Sequence, residues 1–137
     1  MTQLKEVYKC SICGNVVEIL HTGAGQLVCC GEPMDMVVSQ TEDQGQEKHL
    51  PVVEEDLAET SDDKKIIKVK IGEQEHPMTA DHYIEWIEII DSNGKSCKKF
   101  LESKGKPKAI FCLQGNISAV RAYCNIHGLW EKTVREN

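Results

Sequence analysis

Positive charge is in short supply in this chain. Lys and Arg number 16 against 22 Asp and Glu, a formal net charge of -6, so the basic face on which a duplex nucleic-acid binder depends is not expected. No apolar run approaches the length of a bilayer span, and no membrane partner is expected. The opening Met1-Thr2-Gln3-Leu4-Lys5-Glu6 lacks the apolar core of a signal peptide, which points to the cytoplasm. No stretch carries a convincing amphipathic-helix pattern, which leaves strands as the building elements. The seven cysteines are odd in number. In a reducing compartment that favours metal ligation over disulfides. With 137 residues, 40% of them apolar, the chain can form one ordinary domain, or a small domain followed by one of medium size.

Residues 1–38 read as a self-contained metal knuckle. Cys10-Ser11-Ile12-Cys13 is followed, after a fifteen-residue spacer, by Cys29-Cys30. Each pair precedes a glycine, Gly14 and Gly31, which lets the backbone turn tightly with amides free to point at sulfur. Val16 to Leu20 reads as a short strand, His21 to Gly25 as its turn with His21 solvated, and Gln26 to Val28 as the return. So small a segment cannot be held by hydrophobic burial, and a metal staple is physically required. Tetrahedral sulfur suits zinc and iron alike, so the spacing leaves the metal open.

Residues 39–48 form a polar linker that delivers Glu47-Lys48-His49 to a second domain over residues 49–137. Leu50 to Val53 reads as an edge strand with Pro51 near its start. The acidic residues 54–63 read as a solvated hairpin loop. Lys64 to Ile71 is a strand with Ile67, Val69 and Ile71 on one face, and Tyr83 to Ile90 is the clearest strand in the chain. It ends at Asp91-Ser92-Asn93-Gly94, a hairpin signal. Cys97 to Leu101, Ala109 to Leu113, Ala119 to Cys124 and Leu129 to Val134 are further short strands. This spacing indicates a β-sandwich or barrel. Cys97 and Cys112 are expected as small buried apolar residues, and Trp86 and Trp130 as core or near-site packing rather than redox relays.

Cys124-Asn125-Ile126-His127 offers a thiol and an imidazole three residues apart, able to close on one metal ion. His49, His76 and His82 cluster where a shared site could recruit them. One thiolate with several imidazoles is too rich in nitrogen for an ordinary structural zinc site, and suits a redox metal, iron or copper, with a position left open.

In order along the chain, Cys10-x-x-Cys13 with Cys29-Cys30 resembles the desulforedoxin knuckle. Glu47-Lys48-His49, His76-Pro77-Met78, His82-Tyr83-Ile84-Glu85-Trp86-Ile87 and Cys124-Asn125-Ile126-His127-Gly128 resemble the superoxide reductase domain. Together they resemble desulfoferrodoxin, the two-iron class of superoxide reductase. The resemblance implies an all-β protein, a small metal-stapled knuckle followed by an immunoglobulin-like β-sandwich, assembled as a homodimer. It implies two iron ions. One is an Fe(Cys)4 centre on Cys10, Cys13, Cys29 and Cys30, where zinc can substitute. The other has His49, His76, His82 and His127 as equatorial ligands and Cys124 as axial ligand, with Glu47 taking the sixth position in the ferric state. The implied reaction is one-electron reduction of superoxide to hydrogen peroxide without release of dioxygen, with electrons from a donor such as rubredoxin. Two other readings compete: an electron carrier whose second iron is only a relay, and a zinc-stapled interaction module, which would be colourless.

A superoxide anion approaching a protein of charge -6 is repelled at long range, so a fast enzyme must reverse the field locally. Lys48 adjoins His49 in sequence and is the candidate. Lys48→Ile is expected to slow the bimolecular step about tenfold. Added salt should slow the wild type, over a screening length of about 10 Å at about 0.1 M, but leave the variant unaffected or slightly faster. Pulse radiolysis at several ionic strengths measures both; equal rates and equal salt slopes would make Lys48 an ordinary surface lysine.

Overall fold

A computed structural model describes residues 1–42, 49–57 and 64–134. Glu47, Lys48 and the acidic residues 58–63 singled out above lie outside the described residues. The chain divides into two compact units, Met1–Val38 and Ser39–Asn137. Every assigned element is a strand, and among the described residues no helix is long and apolar enough to cross a membrane.

The first unit contains β1 (Val7–Lys9), β2 (Val16–Glu18), β3 (Val28–Cys29), β4 (Glu32–Pro33) and β5 (Asp35–Val37). β1 is the centre of a three-stranded antiparallel sheet between β2 and β5, and β3 pairs with β4. The strand expected over residues 16–20 stops at Glu18. β1 and β5 have no counterpart in the sequence reading, because three residues are too few to show alternation. Val7, Cys10 and Ile19 are the unit's buried apolar residues, while Leu20, Val28 and Val38 are exposed. A core of that size cannot hold 38 residues together, so a cross-link between its turns must.

The second unit contains β6 (Pro51–Leu57), β7 (Lys64–Ile71), β8 (Ile84–Asp91), β9 (Ser96–Phe100), β10 (Lys108–Gln114), β11 (Ile117–Cys124) and β12 (Gly128–Thr133). They form two antiparallel sheets, ordered β10-β7-β6 and β12-β11-β8-β9, the two layers of an immunoglobulin-like sandwich. Ile67, Val69, Ile71, Ala109 and Phe111 from one sheet meet Ile84, Ile87, Ile89, Val120, Ala122 and Cys124 from the other. Each large side chain of this set contributes about 1.5–3 kcal/mol by burial.

Three local features differ from expectation. β6 continues through Glu54 to Leu57, so the start of the presumed acidic loop is strand; Glu54 lies opposite Lys68, a favourable cross-strand pair. Cys97 and Cys112 are exposed rather than buried. Cys97 is on β9, an edge strand, and Cys112 lies between Phe111 and Leu113, which take the core side of β10. The beginning of the polar linker is stitched to β12: Gln40 forms a parallel bridge with Trp130, its amide bonds the Leu129 carbonyl at 2.8 Å, and its carbonyl accepts from Glu131 at 2.9 Å.

β8 and β11 bury side chains on both faces. Away from the core, Arg121 Nε donates to Glu88 Oε1 at 2.7 Å and Lys98 Nζ lies 3.7 Å from Glu88 Oε2. Lys98 also sits 4.0 Å above the Trp86 ring, which stacks on Tyr123. Glu88 and Arg121 are both buried, so removing the guanidinium leaves the carboxylate in a dry site with the longer Lys98 contact in place of its short hydrogen bond. Arg121→Met is expected to cost about 3 kcal/mol, and Glu88→Leu combined with Arg121→Met to recover most of it. Urea unfolding followed by tryptophan fluorescence measures this; a double variant as weak as the single one would refute the stranded-charge account.

Candidate metal centres

In the first unit the two cysteine pairs converge. Cys10 follows β1, Cys13 closes the turn after it, Cys29 ends β3 and Cys30 starts the turn into β4. Their four sulfur atoms all lie within 4.8 Å of one another. Cys13 Sγ and Cys29 Sγ are 3.6 Å apart, near the roughly 3.8 Å edge of a tetrahedron with metal–sulfur bonds of about 2.3 Å. All four cysteines are free thiols. The Cys13 amide points at Cys10 Sγ at 3.4 Å, and Gly14 takes a φ of 85° to complete the turn. The second pair turns through Cys30 and Gly31, at φ 54° and 77°, the left-handed region that glycine supplies at least cost.

The electrostatics of these thiols are unequal. Backbone amides of Cys13 and Ile12 bring the Cys10 thiol down to about 6. Hydrogen bonding with the thiols of Cys13, Cys10 and Cys29, assisted by burial, pushes Cys30 up to about 12. One thiolate forms readily; a full set requires a cation at the centre.

In the second unit five donors come together from distant points of the chain. His49 precedes β6, His76 and His82 sit in the β7–β8 connection, Cys124 ends β11 and His127 lies in the β11–β12 turn. Their donor atoms also lie within 4.8 Å of one another. The imidazoles form a closed four-sided ring. His49–His76, His76–His82, His82–His127 and His127–His49 have centroid separations of 5.0, 4.8, 4.9 and 4.7 Å and interplanar angles from 66° to 81°. His49 Nε2 and His127 Nδ1 are 3.0 Å apart, about the separation of neighbouring nitrogens on one metal with bonds of about 2.1 Å.

His76 provides a direct test of fit. It is buried, and its Nδ1 lies 2.7 Å from the Pro77 carbonyl, which accepts the ring proton and leaves a lone pair on Nε2. That Nε2 is buried with no hydrogen-bond partner among the described residues. Burial brings the His76 pKa down to about 4, so the ring is neutral and ready to ligate near pH 7. Cys124 is fully buried; burial pushes its thiol up, while the amides of His127 and Ile126 pull it down. The His127 amide lies 3.5 Å from Cys124 Sγ, and Gly128 takes a φ of 85°. This repeats the turn found at Cys10, Cys13 and Gly14. The two donor sets fit two iron ions, one in tetrahedral sulfur and one in mixed nitrogen and sulfur.

Several supporting residues escaped the sequence reading. Asn125 clamps the turn to the His82 loop: its Oδ1 accepts from Tyr83 N at 2.9 Å and its Nδ2 donates to the Asp81 carbonyl at 3.0 Å. Thr79 Oγ1 accepts from the His82 amide at 3.1 Å. Gln40 Nε2 donates to the His127 carbonyl at 2.6 Å. Trp130, which the sequence reading did expect as packing, stacks on His49 with centroids 4.4 Å apart. A register shift between Tyr123 and Cys124 leaves Glu85 without an opposite residue on β11, a bulge that re-aims the strand end at the ligand. Of the expected site residues, Glu47 and Lys48 lie outside the described residues.

Comparison with known proteins follows the same division. The Desulfoferrodoxin family model matches residues 41–133, and that of the desulfoferrodoxin N-terminal domain matches residues 2–37. A desulfoferrodoxin homolog of Archaeoglobus fulgidus is 48% identical, over 96% of this chain and 98% of its own. The desulfoferrodoxin of Syntrophotalea carbinolica is 49% identical, over 95% and 97%. The crystal structure of the superoxide reductase from Treponema pallidum superposes with a TM-score of 0.73 at 27% identity, covering 96% of this chain and 98% of that one. On motif order, ligand geometry and full-length similarity, the chain belongs to the desulfoferrodoxin family.

Proposed function

We propose that this protein is a superoxide reductase whose reaction site is the four-histidine, one-cysteine centre. One observation carries the reading: among the described residues, a closed ring of four imidazoles beside a buried thiol offers five protein donors to one metal ion. A protein that only relays electrons gains by closing its shell, whereas a reductase needs room for an anion. Relatives named superoxide reductase, in Pyrococcus horikoshii at 33% identity and in Treponema pallidum, support it. Bound iron would supply a one-electron redox change and a coordination position for the anion.

The chain's own residues divide the remaining work. His49, His76, His82 and His127, with the buried Cys124, would hold the iron. Glu47, two residues before His49, would add a further ligand in the oxidised state. Lys48 draws the anion in. One electron and two protons convert superoxide to hydrogen peroxide, and the exposed His127 borders the solvent that supplies the protons. Cys10, Cys13, Cys29 and Cys30 hold a second iron that exchanges electrons only. Residues 1–38 carry that centre and residues 49–137 the reaction centre, with 39–48 between them. The reading includes a cytoplasmic homodimer supplied by a redox protein such as rubredoxin.

Metal analysis with visible spectra before and after ascorbate, followed by pulse radiolysis, tests the proposal. Iron at both sites and a fast reaction of the reduced protein with superoxide, without dioxygen, are expected. A colourless zinc protein would indicate an interaction module, and a coloured protein inert to superoxide an electron carrier. Cys13→Ser should abolish the absorption of the first centre and leave the superoxide step within about twofold, because the donor sets share no residue. Loss of that step with the second iron still bound would contradict independent centres. Glu47→Ala should leave the reduction step fast and change the resting ferric spectrum. A ferric band that stays the same at every pH in both proteins would remove Glu47 from the ligand set.

A further inference from the structure

The second unit carries a surface of opposite sign to the chain as a whole. A groove of about 740 Å³ along the β6–β7–β10 sheet is lined by Lys68, Lys70, Lys99, Lys106 and Lys108, with Glu54 the one carboxylate among its described lining residues. Lys70 and Lys108 lie directly opposite each other on neighbouring strands, an arrangement that is destabilising unless countercharge is at hand. Ile110, opposite Lys68 and 55% exposed, gives the groove an apolar element. In a protein of net charge -6, five lysines around one concavity form a local field that favours an anionic partner.

The same groove is close in bonding terms to the histidine centre. Between Lys106 and Lys108, the Pro107 carbonyl accepts from the Ile71 amide at 2.8 Å, and the Ile71 carbonyl accepts from the His76 amide at 3.3 Å. Lys104 N donates to the carbonyl of Met78, in the loop between His76 and His82, at 3.0 Å. Two hydrogen bonds therefore connect the basic rim to the backbone of a ligand.

We propose that this groove docks an acidic protein that donates one electron to the histidine centre through the Pro107–Ile71–His76 connection. The inference rests on the reductase reading above. The donor loses one electron, the centre gains it, and no atom is transferred. A second copy of this chain is a poorer occupant, because a two-fold contact centred on the groove would set lysine against lysine. Nucleic acid is disfavoured by the net charge of the chain.

Binding of zinc-substituted rubredoxin, an acidic probe unable to pass electrons, tests the docking surface by calorimetry on the iron-loaded full chain. Wild type should bind, and bind more weakly as salt rises. Lys70→Glu with Lys108→Glu should weaken binding at least about tenfold, and Lys70→Gln with Lys108→Gln by a smaller factor. Lys95→Glu with Lys132→Glu, which alters net charge equally at exposed positions outside the groove, should bind within about twofold of wild type. Absence of wild-type binding, or equal losses in both charge-reversed pairs, would overturn the proposal. So would dissociation of a homodimer by the groove variants in sedimentation, or loss of binding to a DNA oligonucleotide without loss of probe binding. Pulse radiolysis of the reduced wild type without any donor separates the two levels: an inert protein fails as a reductase, whereas a reactive one with groove-independent probe binding fails only in its docking site.

Discussion

At Cys124 an anion has to exist inside a hydrocarbon core. The residue ends β11 within the cluster formed by Ile84, Ile87, Val120 and Ala122, and burial opposes ionisation of its thiol. An uncompensated charge in such a place is prohibitive. Two backbone amides supply part of the compensation, and a cation the rest. Much of the second unit serves that contact. The bulge at Glu85 sets the end of the strand, the turn through Gly128 brings amides to sulfur, and Asn125 fixes the turn against the histidine loop.

The first unit meets the opposite difficulty. Cys13 and Cys30 are exposed, and contact with neighbouring thiols, more than burial, pushes the Cys29 and Cys30 thiols up. Backbone amides bring the Cys10 thiol down, whereas the thiols around Cys30 push it up. A central cation removes the mutual repulsion and, in the same act, ties together turns that only Val7, Cys10 and Ile19 help to bury. In one unit the metal permits a charge in a well-packed core; in the other it substitutes for a core.

The two donor clusters were legible in the sequence because few side chains can bind a metal and their spacing is restricted. β7 and β8 were legible because eight residues of alternation or continuous burial leave a pattern. Other features depend on partners distant in sequence. β6 extends into acidic residues because Lys68 faces Glu54 across the ladder. The exposure of Cys97 and Cys112 follows from edge position and from strand parity, which a one-residue shift reverses. Asn125 clamps residues 42 and 44 positions away, and nothing local in Cys-x-x-His announces it.

The turn shared by the two centres bears on how each is assembled. In both, two donors three residues apart are presented on one turn, so a first, weak chelate forms at almost no cost in chain entropy. The remaining donors differ in cost. Cys29 lies 16 residues from Cys13, whereas His49 lies 78 residues from His127. Loop-closure entropy rises with the logarithm of length, so the cysteine centre can close as a nearly local event. The histidine centre waits for the strands that carry its distant members. Until the sandwich is complete, its turn offers an incoming ion one thiolate and one imidazole, too few to retain it against competition, and folding thereby controls when that metal is held.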